Sequence, residues 1–190
     1  MRIGIVTQPL GTNYGGLLQN YALQQVLIRL GHNVYTINRN SFPSVYTTSW
    51  NRKFIFVLKQ IIKTCNGRTC TPFFKEYLKI RQHCTAFVEE YISTTDSFHN
   101  QQELQKIVRK YSFNAYVVGS DQVWRPCYSE NIYNDFLDFC QEAQSVKRIA
   151  YAASFGVSEW EFNKTQTVEC SRLANFFDAI SVREDSGVKL

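Results

Sequence analysis

Residues 2–38 read RIGIVTQPLGTNYGGLLQNYALQQVLIRLGHNVYTIN, and this stretch decides the fold. Its first seven residues, RIGIVTQ, form a short run rich in β-branched side chains, which predicts a strand. The turn GTNYGG (11–16) follows, and then a helical pattern from about Leu17 to Leu30. Leu18, Ala22, Val26 and Leu30 fall on one helical stripe, widened by Leu23 and Leu27, while Gln19, Asn20, Gln24, Gln25 and Arg29 are expected to face out. Gly31 is placed to end the helix in a left-handed conformation. A second strand is predicted over Val34–Asn38. Strand, turn, helix and strand in fewer than forty residues make a βαβ unit, which implies a parallel sheet with a right-handed crossover.

Outward from that unit the rhythm breaks and then returns. Residues 44–83 hold eight Lys/Arg against the single acid Glu76, whereas the rest of the chain carries more acids than bases. The net charge of +5 is therefore local, and a local basic face suits an anionic partner or a solvated surface. Two helix-like stretches are expected there, at 50–63 and about 73–92, with CNGRTCTP as the loop between them. The α/β pattern resumes with a helix at 101–111, a strand at Ala115–Gly119, a short extended piece at 132–140, a strand at Arg148–Ser154, a helix near 165–177 and a strand at Ala179–Val182. The expected fold class is thus α/β, a Rossmann-like parallel sheet flanked by helices. Residues 1–39 and 101–190 would form that domain, and 40–100 a basic helical insertion. Asp185-Ser186 sits where a helix should start, with about one turn left before Leu190, so the chain is expected to be the N-terminal part of a longer protein.

The composition, 44% apolar and 15% aromatic, suits a packed core rather than disorder. No apolar run approaches the roughly 18–20 residues of a membrane span. The opening MRIGIVTQP reads as a strand, not a signal peptide, and the six scattered cysteines are expected to be reduced in a cytoplasmic protein.

In an open parallel sheet, ligands sit beyond the carboxyl ends of the strands. The GTNYGG turn, Ser120-Asp121 with Trp124-Arg125, Ser154-Phe155-Gly156, and Arg183-Glu184 all fall there. The turn feeds a helix N-terminus, which favours an anion. Gly15 and Gly16 allow a phosphate or sugar close to the backbone, and Asn13 is either a helix cap or a hydroxyl ligand. Asp121 is either a general base for a sugar hydroxyl or a cap for the turn GSDQVW. Trp124 reads as a packing residue, and Arg125 suits an anionic substrate or an exposed acid. Two weaker readings are a zinc site from Cys65, Cys70, His83 and Cys84, whose spacing misses the usual pairs, and a Cys127 nucleophile without an identifiable histidine partner. The helix at 50–63 pairs apolar and basic faces, as peripheral membrane helices do.

Four of these stretches together, NYGGLLQNYALQQVLIRLGHNV (13–34), VVGSDQVW (117–124), YAASFG (151–156) and ISVREDSG (180–187), resemble the polysaccharide pyruvyl transferase family. Members often have Asn where this chain has Arg125, which leaves that position's role open. The resemblance implies the N-terminal half of a GT-B-like architecture, with two Rossmann-like halves facing a cleft. It implies transfer of pyruvyl from phosphoenolpyruvate to sugar hydroxyls of a cell-surface polysaccharide or its precursor. Asp121 is then the catalytic candidate, and Asn13, Gly15, Gly16, Ser120 and Arg183 are candidates for substrate binding. No bound cofactor, structural metal or nucleic-acid partner is expected. The acceptor would be a sugar or polyprenyl-linked glycan, reached at the inner face of the membrane through residues 50–63. Two other functions fit the same elements: a GT-B-like glycosyltransferase using a nucleotide sugar, and a non-catalytic module that binds glycan or lipid-phosphate.

Overall fold

The computed structural model describes residues 1–39, 74–140 and 145–189. Five strands form one sheet: β1 (Arg2–Val6), β2 (Asn33–Thr36), β3 (Ala115–Gly119), β4 (Lys147–Ala153) and β5 (Ala179–Val182). Their order is β2-β1-β3-β4-β5, and every pairing is parallel, with Ile5 beside Thr36 on one side and Val117 on the other. This is a Rossmann-like α/β sheet. The chain runs outward in opposite directions from the β1/β3 pair, so a crevice opens at the carboxyl ends of those two strands.

Helices cover both faces, as a parallel sheet requires. On one face Leu23 of α1 (Tyr14–Arg29) packs on Ile3, Ile5, Val34, Ala115 and Val117. On the other, Leu104 and Ile107 of α3 (Gln101–Tyr111) and Leu173 of α5 (Lys164–Ala174) close over Val6, Tyr116, Val118 and Ala150. Helix α2 (Phe74–Tyr91) docks on α1 instead of the sheet, where Cys84 and Ile92 pack with Leu10 and Leu17. Arg81 of α2 is buried and donates from Nη2 to the Leu10 carbonyl at 3.0 Å, which ties α2 to the loop before α1. The expected helix at 50–63 and both Cys65 and Cys70 lie outside the described residues. Among the described residues, no helix is long and apolar enough to cross a membrane.

Three sequence expectations are corrected. Helix α1 starts at Tyr14, not Leu17, because Asn13 caps it and its Oδ1 accepts from the Gly16 amide at 3.2 Å. The glycine pair is therefore the first turn of the helix. The inward stripe also differs: Leu17, Asn20, Leu23 and Gln24 are buried, whereas Leu18, Val26 and Leu30 are exposed. Asn20 and Gln24 face in because Thr36 waits there. Asn20 Nδ2 donates to Thr36 Oγ1 at 2.9 Å, Gln24 Nε2 donates to the Ser93 carbonyl at 2.9 Å, and the Ser93 amide returns a bond to Gln24 Oε1 at 2.9 Å. Finally, residues 132–140 are not extended. They form the short helix α4 (Ile132–Asp135) and a 3-10 turn, Asp138–Cys140. Asn131 caps α4 through the Tyr133 amide, and the wholly buried Asp135 pairs with Arg39 and accepts from Ser129 Oγ at 2.6 Å. Burial pushes the Asp135 carboxyl above its ordinary range, and Arg39 and Ser129 pull it back.

The Asn20–Thr36–Gln24 cluster joins α1, β2 and the segment after α2, so it should carry measurable stability. Thr36→Val keeps the volume but leaves the buried Asn20 amide without its partner, and should cost about 1–3 kcal/mol in urea unfolding. Adding Asn20→Leu to that variant should recover part of the loss, since both polar partners are then gone.

Candidate functional site

The site begins at the end of β3. Gly119 has φ +129°, and an added Cβ would overlap the Tyr151 carbonyl oxygen of β4, so this strand end admits only glycine. The chain then turns through Ser120 to Asp121, where it is tied to the end of β4. The Asp121 carbonyl accepts from the Ser154 amide at 3.0 Å, and the Ser154 carbonyl accepts from the Trp124 amide at 3.1 Å. Trp124 is 3% exposed and lies flat on Phe136 at 4.8 Å between centroids. Its indole N–H donates to the Asp135 carbonyl at 3.1 Å. Trp124 is thus the packing anchor of the turn.

That anchor aims the Asp121 side chain, which is 15% exposed. Oδ1 accepts from the Gln122 amide at 2.8 Å, as a turn cap would. Oδ2 packs on the first turn of α1, where a Cβ built on Gly16 would meet it at 3.2 Å. With a larger residue at position 16 the carboxylate would have to give way by a few tenths of an ångström. The first turn of α1 contains no acid of its own, so Asp121, more than a hundred residues later, supplies the negative charge that a helix N-terminus favours.

Arg183, just after β5 and 40% exposed, faces the same carboxylate, its Nη1 3.8 Å from Asp121 Oδ1. It is steadied from behind: Nη2 donates to Ser154 Oγ at 3.0 Å. The buried Ser154 hydroxyl donates to Glu184 Oε1 at 2.8 Å, and that oxygen also accepts from the Phe155 and Gly156 amides at 3.0 and 3.1 Å. Glu184 thereby joins the ends of β4 and β5. Sequence reasoning placed Glu184 at this rim but gave it no role. Its only signal was an acid immediately after Arg183 at a strand end.

Asn13, Asp121 and Gln122 line a pocket of ≈ 450 Å³ together with Gln8, Pro9 and Tyr128. Asn13 and Gly15 are exposed, and Gly16 and Ser120 are half-buried. The fold therefore brings Asn13, Gly16 and Asp121 to one opening, with Gly15 and Ser120 beside them by chain adjacency. Arg183 reaches Asp121 but does not line the pocket. Arg125 answers to an acid: its Nε and Nη2 bond Glu161 at 3.0 and 3.1 Å. Those bonds hold the Glu161 carboxyl below its ordinary range. Cys127 Sγ lies 3.9 Å from Glu161 Oε2, a carboxylate rather than the imidazole a thiolate nucleophile calls for. His83 is exposed and Cys84 buried under α1, and among the described residues no cluster of His, Cys, Asp or Glu is arranged to hold a metal.

A larger cavity, ≈ 710 Å³, lies at the opposite end of the sheet, between α3 and the 3-10 turn at Asp138. Burial pushes the Asp138 carboxyl up to about 6. It borders residues that precede β3 and β4, the amino ends of the strands, where this topology offers no crevice. The smaller pocket is the better candidate because the strand ends, the helix N-terminus and Asp121 converge there.

A parallel sheet of this order, with a polar pocket at its switch point, defines a Rossmann-like α/β protein. The sequence profile of the family described as Polysaccharide pyruvyl transferase matches residues 13–190. The chain belongs to that family, which is a family of transferases. No curated protein matches it.

Removing the Glu184 carboxylate should loosen the rim. Glu184→Ala leaves the Ser154 hydroxyl and the Phe155 amide without their acceptor and the Gly156 amide with Ser154 Oγ alone, and should lower stability by about 1–3 kcal/mol. Glu184→Gln, which retains an acceptor oxygen, should lose less than half of that in the same urea titration.

Proposed function

We propose that this chain supplies the acceptor side of a pyruvyl transfer from phosphoenolpyruvate to a polysaccharide or its precursor. One observation carries the reading: Asp121, in the turn after β3, lines the pocket with its carboxylate set against the N-terminus of α1. The position that would otherwise attract a phosphate already contains a carboxylate, so the vacancy beside it suits a hydroxyl that donates to Asp121. Asn13, exposed at the same rim, offers an amide to a second hydroxyl. In this reading the family resemblance extends to a GT-B-like arrangement, with the donor's phosphate and carboxylate bound across a cleft.

The chemistry balances as follows. A general acid protonates the methylene carbon of the enol. One sugar hydroxyl, its proton taken by Asp121, adds to the adjacent carbon. A second hydroxyl then closes on that carbon as the C–O bond to phosphate breaks, its proton leaving with the phosphate. The products are a pyruvate ketal bridging two sugar oxygens, and inorganic phosphate. Arg183 holds Asp121 oriented toward the hydroxyl.

Asp121→Asn keeps the side-chain shape and its bond to the Gln122 amide. Phosphate release from phosphoenolpyruvate in the presence of acceptor should fall roughly 10²–10⁴-fold, with the thermal midpoint nearly unchanged. Intact turnover per folded molecule, with a large drop in stability, would leave Asp121 as a turn cap only. Release of a nucleoside diphosphate from a nucleotide sugar, with none of phosphate from phosphoenolpyruvate, would replace the reading with a glycosyltransferase.

The same proposal places the enzyme in the cytoplasm at the inner face of the membrane, where a polyprenyl-linked acceptor would be presented. The basic, aromatic stretch at 50–63 supports this. The protein should bind anionic vesicles in a salt-sensitive way and neutral vesicles little. Equal retention on both, or on neither, removes the membrane contact.

A further inference from the structure

Among the described residues that line this pocket Tyr128 is the aromatic one, and the proposed chemistry does not use it. Its side chain is 55% exposed, unusual for an aromatic ring that also lines a pocket. The ring is not loose. Its backbone closes the 3-10 turn Pro126–Tyr128, with the Tyr128 amide donating to the Arg125 carbonyl at 3.0 Å. The Arg125 guanidinium lies over the ring at 4.8 Å from its centroid, and Nη1 donates to the phenol oxygen at 3.3 Å. Arg125 is itself clamped by both oxygens of Glu161. A cation over one face of a tyrosine is attracted by the ring's quadrupole and holds the ring in place. The remaining ring surface is an immobile apolar ledge beside Asp121.

The charges around the ledge select against an anion. Among the described residues, six line the pocket and none of them is Lys or Arg, while the charged one, Asp121, is negative. Arg125, the cation beside Tyr128, is neutralised by Glu161, and Arg183 faces Asp121 from outside the lining. A phosphate or a uronate carboxylate entering here would meet Asp121 with no free cation among the lining residues.

We propose that Tyr128 is the specificity-determining shelf for the acceptor: the apolar face of an uncharged sugar ring rests on it while that sugar's hydroxyls turn toward Asp121 and Asn13. This rests on the reading of the pocket as the acceptor's side. It adds that the ring nearest the chemistry is neutral, whatever charge the rest of the glycan bears. Stacking of this kind combines a large apolar contact with a polar rim, the usual design of a small-ligand site.

The test is saturation-transfer NMR on the whole chain with a panel of neutral hexose oligosaccharides, and with inorganic phosphate as competitor. At least one neutral sugar should bind, with the strongest transfer to C–H protons of one ring face. Tyr128→Ala should weaken that binding roughly tenfold, the scale of a lost aromatic contact, without moving the thermal midpoint. Tyr128→Phe should retain binding. Affinity unaffected by Tyr128→Ala, displacement of the sugar by phosphate, or binding of no neutral sugar would each overturn the shelf. The two readings fail separately. Neutral sugar bound through Tyr128 by a protein that never consumes phosphoenolpyruvate would end the pyruvyl-transfer reading alone. Pyruvyl transfer whose acceptor KM ignores Tyr128 would end the shelf alone.

Discussion

The carboxyl end of β3 depends on a reciprocal backbone lock, in which the Asp121 carbonyl accepts from Ser154 and the Ser154 carbonyl accepts from Trp124. These bonds extend the β3–β4 pairing past the last regular residue and hold the turn against the sheet. Gly119 makes the lock possible by bringing β3 against the Tyr151 carbonyl without a side chain between them. Trp124, stacked on Phe136, makes it rigid. With the backbone fixed on both sides, Asp121 has one direction left, toward the amino end of α1, where Gly16 leaves room for it.

A carboxylate there alters what the helix N-terminus can do. An empty N-terminus beside two glycines suits an anion, and GTNYGG alone left a phosphate, a sugar or a plain capped turn open. Asp121 is not visible from that turn because it lies a hundred residues further along, and only the β1–β3 adjacency unites them. A neighbouring cation does not reverse the outcome, since Arg183 stands 3.8 Å from the carboxylate and also hydrogen-bonds Ser154. The local field therefore favours hydrogen-bond donors over anions at the rim.

The parallel α/β plan was readable because β-branched runs, glycine turns and helical periods repeat at the spacing of βαβ units. Ala115–Gly119 and Gln101–Tyr111 were located to the residue because each is flanked by strong punctuation: Asn100 caps the helix, and Gly119 ends the strand. The inward face of α1 was not readable. Leu18, Val26 and Leu30 outrank Asn20 and Gln24 on any hydrophobicity scale, and the reason for burying the two amides is Thr36 and Ser93, on other elements. Likewise IYNDFLDFC is too short to set a helical period against a strand one. Its buried carboxylate, Asp135, reveals the helix only once Arg39 and Ser129 are known to meet it.

The same limit governs the site. Residues at strand ends can be named from topology, since a parallel sheet gathers them on one rim, and Asn13, Ser120, Asp121 and Arg183 became candidates that way. Side chains that approach the rim from the connecting loops carry no such mark. Glu161 sits in the loop between β4 and α5, and Tyr128 in a turn after β3, with thirty-odd residues between them. What joins them is Arg125, whose two bonds to Glu161 and whose position over the Tyr128 ring convert an exposed charge into a support for an aromatic surface. An arginine that looked available to an anionic substrate is thus already committed within the protein, and the polarity of the pocket follows from that commitment.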